Sequence, residues 1–315
     1  MRAVIVTEAG APDVLQLQEV DTPEPIPTEV LVRVHAAGVN PVDWKTRQGK
    51  GMTAVLGDPP LRIGWDVAGV VEEVGMGVTR FRPGDEVFGM PWFPREAGAY
   101  ADYVTCPARQ LALRPEGLDF AAAAALPLAS LTAWQALVDT AGLQAGQRVL
   151  VHAAAGGVGH LAVQIAKALG AEVYGTASAD KHDFLRELGV DRPIDYKAEA
   201  FEDVATGMDV VLDLIGTWDY GMRSLRCLAD GGTLLEIPSG ADPDVLEAAE
   251  EQGKRATGML VEPDGAGLER IAQLCRDGKL TPALEEPLPL EQAARAHELG
   301  EQGRTQGKRV LLTGH

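Results

Sequence analysis

A glycine-rich turn at residues 153–159, AAAGGVG, is the segment of this sequence whose residue types suit chemistry most directly. It follows a strand-like run at 148–152, RVLVH, and leads into a run whose apolar residues are spaced three and four apart, as in a helix. A pyrophosphate binds where backbone N–H groups point out of a helix N-terminus, and glycine lets the backbone approach it closely. The segment predicts a dinucleotide site formed by Ala155, Gly156, Gly157 and Val158.

A simpler interpretation of this turn is that its glycines only let a strand and a helix pack closely. The wider pattern favours the dinucleotide, because residues 123–260 alternate strands with helices, which is typical of a parallel sheet covered on both faces. Six candidate strands are found, at 148–152, 172–176, 193–195, 209–214, 233–237 and 255–260.

The end of the second candidate strand should decide which dinucleotide binds. An Asp or Glu there would hold the 2'-hydroxyl of NAD and repel an added phosphate. Residues 174–181 read YGTASADK, so small polar groups and a cation stand at this position, and Ser178 and Lys181 are expected to hold the 2'-phosphate of NADPH. Asp180 weakens this inference if it points inward, and Lys181 could instead be a solvated lysine at a helix start.

The rest of the chain must position this site. Up to residue 122 the sequence shows short strands with turn signals, which predicts a compact β-barrel. After residue 260, candidate helices at 267–277 and 290–299 precede a last strand, 308–312, that is expected to rejoin the first domain. The expected fold class is α/β, with a barrel domain formed by 1–122 and 261–315 and a doubly wound sheet domain formed by 123–260.

Composition excludes several other classes. The 315 residues carry a net charge of -18, which leaves no broad basic surface for nucleic acid or an anionic membrane. The first ten residues, MRAVIVTEAG, are too polar for a signal-peptide core, and the weakly polar stretch 120–134 is interpreted as buried helix. The 3 cysteines are far apart, which fits a reducing cytoplasm and offers no disulfide framework.

Other catalytic patterns are missing from the sequence. None of the 5 tyrosines has a lysine four residues later, as a short-chain dehydrogenase would require. We find no Gly-x-Ser-x-Gly, His-Glu-x-x-His or P-loop motif. His152 and His160 adjoin the glycine turn and could approach a cofactor, but satisfied packing roles are the favoured interpretation.

Several segments together resemble the medium-chain dehydrogenase/reductase superfamily, in particular its zinc-free quinone oxidoreductase branch. They are AAGVNPVDWK at 36–45, GWDVAGVV at 64–71, LPLASLTAW at 126–134, the glycine turn, and GKRVL at 307–311. The resemblance implies a GroES-like β-barrel, a Rossmann domain and a substrate in the cleft between them. It also implies a homodimer or homotetramer.

The resemblance bears on metal content as well. Zinc alcohol dehydrogenases of the superfamily hold a catalytic zinc with Cys, a His-Glu pair and a second Cys. The matching positions here are Asn40, Trp65-Asp66 and Leu128, a set that is poorly suited to Zn²⁺. No metal site is expected. Without a Lewis acid to stabilise an alkoxide, reduction of an electron-poor acceptor is the expected direction.

The remaining site residues follow from the same resemblance. Asn40 matches an amide beside the nicotinamide, and Thr132 matches a hydroxyl on the same ring. Lys45 is placed as a donor to the ribose or to a developing enolate oxygen, or else as a surface lysine. The Asn-Pro-Val-Asp-Trp-Lys loop is more similar to the subgroup acting on enones and alkenals. Asp43 is expected to order this loop. Tyr196 matches a position that helps to bind the adenosine phosphate. Ile215 and Gly216 match the adenine pocket, and Ile237 and Ser239 match the nicotinamide pocket, with packing at strand ends as the alternative interpretation of these two loops.

The expected function is therefore NADPH-dependent hydride transfer, without zinc, to a quinone or an α,β-unsaturated carbonyl. The alternative is a protein that binds NADPH with little turnover, as a redox sensor or a structural protein, because the sequence contains no unmistakable proton donor. Turnover with any quinone or enone would separate the two.

Overall fold

The chain forms two compact units in the computed structural model, which describes residues 1–238 and 240–315. The first unit comprises Met1–Leu131, Glu262–Gly278 and Pro282–His315. The second comprises Thr132–Val261 and Lys279–Thr281. The first segment of the first unit thus extends to Leu131, past the expected boundary at 122.

Eight strands and three helices form the first part of the first unit. The strands are β1 Arg2–Val6, β2 Leu15–Glu19, β3 Glu29–Val39, β4 Leu61–Arg62, β5 Asp66–Val74, β6 Glu86–Gly89, β7 Tyr103–Pro107 and β8 Leu111–Leu113. The helices are α1 Pro41–Arg47, α2 Thr53–Leu56 and α3 Phe120–Ala124. Because α3 packs against β3 and β5, residues beyond 122 belong with the barrel.

The stretch 120–134, expected to be one buried helix, is instead two. Helix α3 ends at Ala124, and helix α4 (Pro127–Trp134) begins at the proline, which lacks the N–H that a continuous helix would need. A π-helical turn, Gln135–Thr140, extends α4. Most of this stretch is buried, as expected.

The six predicted strands of the second unit are confirmed as one parallel sheet. They are β9 Arg148–Val151, β10 Glu172–Ala177, β11 Arg192–Asp195, β12 Met208–Asp213, β13 Leu228–Glu236 and β14 Arg255–Gly258. Their order is β11-β10-β9-β12-β13-β14, the doubly wound arrangement of a Rossmann sheet. Strand β13 begins before the expected residue 233, because Gly231 and Gly232 resemble a turn in the sequence but continue the strand.

Five helices cover this sheet: α5 Gly159–Ala168, α6 His182–Glu187, α7 Phe201–Val204, α8 Trp218–Cys227 and α9 Pro243–Glu251. The predicted apolar face of α5 is confirmed, since Leu161, Ala162 and Ile165 are fully buried. Gly170 follows α5 with φ of +85°, the left-handed conformation that commonly ends a helix.

The last segment returns to the first unit, as predicted. It contains α10 Gly265–Arg276, β15 Leu288–Pro289, α11 Ala293–Glu301 and β16 Arg309–Leu312. Strand β16 pairs antiparallel with β3, with Arg309 opposite Val39, and so completes a sheet of order β15-β16-β3-β5-β6-β8. None of the helices in the described part of the chain is both long and apolar enough to span a membrane.

Candidate functional site

The predicted glycine turn lies between the end of β9 and the start of α5. A Cβ on Gly159 would stand 2.3 Å from the Ala153 carbonyl oxygen and 2.8 Å from Ala154 Cα, so only glycine fits there. Ala153 itself has φ of +47°, which is unusual for a residue with a side chain. The turn closes with a 2.9 Å bond from Gly156 N to Ala153 O.

This turn fits the pyrophosphate of a dinucleotide. The first N–H groups of a helix have no partner within it, and they carry the positive end of its dipole. Gly156, Gly157 and Val158 are partly exposed just before α5, whereas Ala155 is buried. The Gly156 N–H is used within the turn, and an anion can reach the backbone at Gly157 and Val158.

The two histidines beside the turn hold it in place. His152 is fully buried, with Nδ1 3.2 Å from Thr176 Oγ1 and Nε2 3.0 Å from Ser224 Oγ. Burial lowers its pKa to about 3, so the ring is neutral. His160 Nδ1 donates to the Gly156 carbonyl at 2.9 Å. Both contacts agree with the packing roles favoured from the sequence.

Ser178, Lys181 and Tyr196 lie near one another at the ends of β10 and β11, where Ala177 pairs with Asp195. Asp180 is exposed, and its pKa is lowered, first because the Ser178 hydroxyl hydrogen-bonds to it and also because two lysines are near. One is Lys181; the other is Lys197, which the sequence reasoning missed and whose Nζ lies 5.8 Å from the Tyr196 ring centre.

The loop after β12 is organised by a buried acid. Asp213 Oδ1 accepts from Ile215 N at 2.7 Å and from Gly216 N at 3.2 Å, so this side chain fixes both residues expected at the adenine pocket. Ile237 N donates to Asp213 O at 3.1 Å. Burial raises the pKa of Asp213. Ser239, expected at the nicotinamide pocket, lies outside the described residues.

In the first unit, Asn40 belongs to a buried charged cluster. Its Nδ2 donates to Asp66 Oδ2 at 2.7 Å, and Leu128 N donates to Asp66 Oδ1 at 2.7 Å. The Lys308 ammonium donates to Asn40 Oδ1 and to Val39 O (3.2 Å) and lies 3.4 Å from Asp66 Oδ2. The sequence reasoning gave Asp66 and Lys308 no role. The sequence signal that could have indicated a role for Lys308 is its position after Gly307, at the start of a predicted apolar strand.

Two glycines make room for this cluster. A Cβ on Gly38, which pairs with Asp66 across β3 and β5, would lie 2.8 Å from Asp66 Oδ2. Gly307 has φ of +69°, and a Cβ there would meet Ala283 O at 2.2 Å. Each position therefore requires glycine, and Gly307 sets the entry of Lys308 into β16.

A second buried network extends from Asn40 through Asp43, as expected for a residue that orders the loop. Asp43 Oδ2 accepts from Asn40 N at 2.7 Å and from the Tyr100 hydroxyl at 2.7 Å. Burial raises the pKa of Asp43 to about 7 and lowers that of His297, which lies 3.4 Å from the Tyr100 hydroxyl, to about 3. Arg47 Nη1 lies 3.3 Å from His297 Nδ1. Sequence reasoning missed Tyr100, Arg47 and His297, which are far apart in the chain.

Lys45 and Thr132 are the other two residues predicted to face the reacting groups. Lys45 is half-buried on α1, between Asp43 and the buried Thr46 and Arg47. Thr132 is buried in α4 at the first residue of the second unit.

The donor set at Asn40, Asp66 and Leu128 does not fit zinc. The Asn40 amide and Asp66 carboxylate are hydrogen-bonded to each other, Leu128 offers only a backbone N–H that donates to Asp66, and an ammonium lies against both side chains. Zinc in proteins prefers thiolate, imidazole and carboxylate ligands around an open cavity. Within the described residues, no three His, Cys, Asp or Glu side chains converge to hold a metal ion.

Two family models match the chain. Residues 26–116 match the alcohol dehydrogenase GroES-like domain, and residues 188–311 match a family described as zinc-binding dehydrogenase. The second match begins after Asn40, Asp66 and Leu128, so it carries no information about those positions. The first match agrees with the barrel fold of the first unit.

Proteins of known identity are similar over nearly the whole chain. The chloroplastic NADPH-dependent alkenal/one oxidoreductase of Arabidopsis thaliana is 36% identical over 99% of this chain and 79% of its own length. A quinone oxidoreductase structure from Coxiella burnetii is 38% identical, with a TM-score of 0.92 and 99% of each chain covered. The Escherichia coli quinone oxidoreductase complexed with NADPH is 28% identical, with a TM-score of 0.88 and coverage of 99% of this chain and 100% of that one.

The glycine turn, the GroES-like barrel, the six-stranded Rossmann sheet and these full-length similarities agree with one another. The chain belongs to the medium-chain dehydrogenase/reductase superfamily, in its branch of NAD(P)H-dependent quinone and alkenal/one oxidoreductases.

Proposed function

We propose that this protein is a zinc-independent, NADPH-dependent oxidoreductase that reduces a quinone or an α,β-unsaturated carbonyl. The observation that carries the proposal is the turn before α5, whose shape requires Gly159 and whose backbone donors are accessible to an anion. The acceptor class is supported by the names of the similar proteins, one an alkenal/one oxidoreductase and two quinone oxidoreductases.

The preference for NADPH is argued from the ends of β10 and β11. Lys181 and Lys197 place two cations near Ser178. Of the acids there, Asp180 is exposed and hydrogen-bonded to Ser178, and Asp195 Oδ1 accepts from Lys197 N at 3.1 Å. A 2'-phosphate would gain charge-assisted hydrogen bonds from these groups, each worth about 1.5 to 3 kcal/mol. We assign Ser178, Lys181 and Tyr196 to the adenosine phosphate.

When bound, NADPH supplies a hydride from C4 of its nicotinamide. The acceptor also takes up one proton, so a quinone becomes a hydroquinone and an enone gains hydrogen at both carbons of its alkene, while NADPH becomes NADP⁺. We assign Gly156, Gly157 and Val158 with Ala155 to the pyrophosphate, and Asn40 with Thr132 to the orientation of the nicotinamide. The pockets around the two rings of the cofactor are assigned to Ile215, Gly216, Ile237 and Ser239.

Lys45 is assigned to the oxygen on which negative charge develops during reduction. It lies on α1, whose position is fixed by the buried Asp43 and Arg47 at either side of it. A lysine donor at such an oxygen stabilises the transition state more than the ground state. The assembly is proposed to be a homodimer or homotetramer, which light scattering of the purified protein would measure.

The function is tested by following oxidation of NADPH and NADH at the nicotinamide absorbance against a benzoquinone, a naphthoquinone, an enone and a 2-alkenal, with and without a chelator. We expect NADPH-specific turnover that the chelator leaves unchanged, and the best acceptor defines the chemistry. Loss of activity with the chelator would contradict zinc independence. Tight NADPH binding without turnover would favour the redox-sensing or structural alternative.

A further inference from the structure

We propose that Lys308 is a positioning residue for the proposed reaction: its buried ammonium holds the Asn40 amide in one orientation and supplies a fixed positive charge where related enzymes use a metal ion. The inference rests on the proposed function, because it concerns the amide assigned to the nicotinamide.

The Lys308 ammonium is fully matched by acceptors. It has three N–H groups, and three oxygens face it: Val39 O at 3.2 Å, Asn40 Oδ1, and Asp66 Oδ2 at 3.4 Å. The side chain is 3% exposed and that of Asp66 is 0% exposed. An ordinary surface lysine moves among many rotamers, whereas this one is held on every side.

These contacts determine how the Asn40 amide is oriented. Its oxygen accepts from Lys308, and its nitrogen donates to Asp66 at 2.7 Å. A flipped amide would place its N–H₂ against the ammonium and its oxygen against the carboxylate, so both contacts would become repulsive. The Lys308–Asp66 pair therefore selects one of the two amide orientations.

Stability alone is a poor explanation for this pair. Burying an ammonium and a carboxylate costs solvation that their attraction does not fully return, and well-packed apolar residues often stabilise a core at least as well. The barrel nevertheless accommodates Asp66 beside an obligatory glycine, since a Cβ on Gly38 would lie 2.8 Å from Asp66 Oδ2. A role in positioning and charge explains why the fold keeps it.

The charge also suits the chemistry. As a hydride reaches a quinone or an enone, negative charge develops on the acceptor oxygen, and a fixed cation stabilises it without reorganisation during the reaction. Asn40, Asp66 and Leu128 stand at the positions matched to zinc ligands, and Lys308 Nζ contacts the side chains of the first two. An ammonium built into the chain then replaces the charge that zinc would supply.

The test compares three variants in single-turnover hydride transfer at saturating NADPH and acceptor: Lys308→Met, Lys308→Arg, and the double variant Asp66→Asn/Lys308→Met. The double variant removes both charges, so no buried charge is left without a partner and folding is protected. Lys279→Met is the matched control, since Lys279 is exposed in the second unit. Circular dichroism and the Kd for NADPH are measured for every variant.

We expect the rate to fall about 100-fold in Lys308→Met and to stay equally low in the double variant, the loss typical of removing one preorganised donor. Lys308→Arg should recover about tenfold, and the Kd for NADPH should change less than about threefold. A double variant that regains the wild-type rate would show that Lys308 only neutralises Asp66, which overturns the inference while the proposed function stands. A wild-type protein without turnover overturns both.

Discussion

Asp66 in the first unit and the Asp213–Glu236 pair in the second are buried acids with different surroundings. In the first unit, Asp66 lies beside the Lys308 ammonium and accepts two further hydrogen bonds, from Asn40 and Leu128. In the second unit, Asp213 and Glu236 face each other across β12 and β13 with no cation between them that the described residues supply. Burial raises the pKa of both, that of Glu236 to about 7.

This difference agrees with the charge that each unit is proposed to bind or stabilise. The sheet ends of the second unit are proposed to bind an anionic cofactor, and the raised pKa values of Asp213 and Glu236 oppose the ionisation of two acids there. The first unit is proposed to stabilise the negative charge that develops during the reaction, and there the Lys308–Asp66 pair supplies a buried cation. Asp43 is the exception in the first unit, because burial raises its pKa to about 7.

The largest effect is expected from leaving Lys308 without Asp66. Asp66→Ala should lower the free energy of unfolding by about 3–5 kcal/mol, because an ammonium 3% exposed loses its counter-ion. Thermal unfolding measures the change. The double variant Asp66→Ala/Lys308→Met is the control and should recover much of the loss. Equal losses in both would show that packing, not charge, determines the effect.

The second unit should lose stability as pH rises. In the folded protein the pKa of Glu236 is about 7, whereas that of an ordinary glutamate is 4.5. The stability that protonated Glu236 contributes is therefore complete below pH 4.5 and is lost as pH rises through 7. At about 1.4 kcal/mol for each pH unit, the total is about 3 kcal/mol. Relative to the Glu236→Gln variant, wild type should weaken over this window. A constant difference from pH 4.5 to 7 would contradict the argument.

A side chain at Gly159 should disrupt the cofactor turn. In Gly159→Ala the new Cβ meets the Ala153 oxygen at 2.3 Å, so the turn must shift, and we expect the Kd for NADPH to rise about 100-fold. Gly156→Ala is the graded control, with a closest contact of 3.2 Å. Fluorescence titration measures both. Losses in the reverse order would mean that the Gly159 contact does not shape the site.

The smallest effect separates the two cofactors. Lys181→Ala should weaken NADPH binding about tenfold and leave NADH nearly unchanged, because only the 2'-phosphate is proposed to reach this lysine. Lys279→Ala, at an exposed position, is the control and should change neither Kd. Equal losses for NADPH and NADH would remove Lys181 from the phosphate site.

Local patterns predicted the second unit better than the first. The turn and all six strands follow from residues adjacent in sequence. The larger boundary differences are the start of β13, where Gly231 and Gly232 continue the strand, and the end of β14 at Gly258. The cluster around Asn40 combines residues far apart in the chain, such as Asp66 and Lys308. No spacing rule joins a strand start near the C-terminus to a loop near residue 40, so the ammonium could be found only once β16 was seen beside β3.

The pairing of β16 with β3 also sets an order for folding. Lys308 is separated from Asp66 by 242 residues, and the whole of the second unit is synthesised between them. Contacts of such long range pay their loop-closure entropy before they gain energy, and nascent chains fold from the N-terminus onward. We expect the nucleotide-binding sheet to fold on the ribosome while the barrel is still open. The pairing of β16 with β3 would then close the barrel and bring Lys308 to Asp66 in one late step.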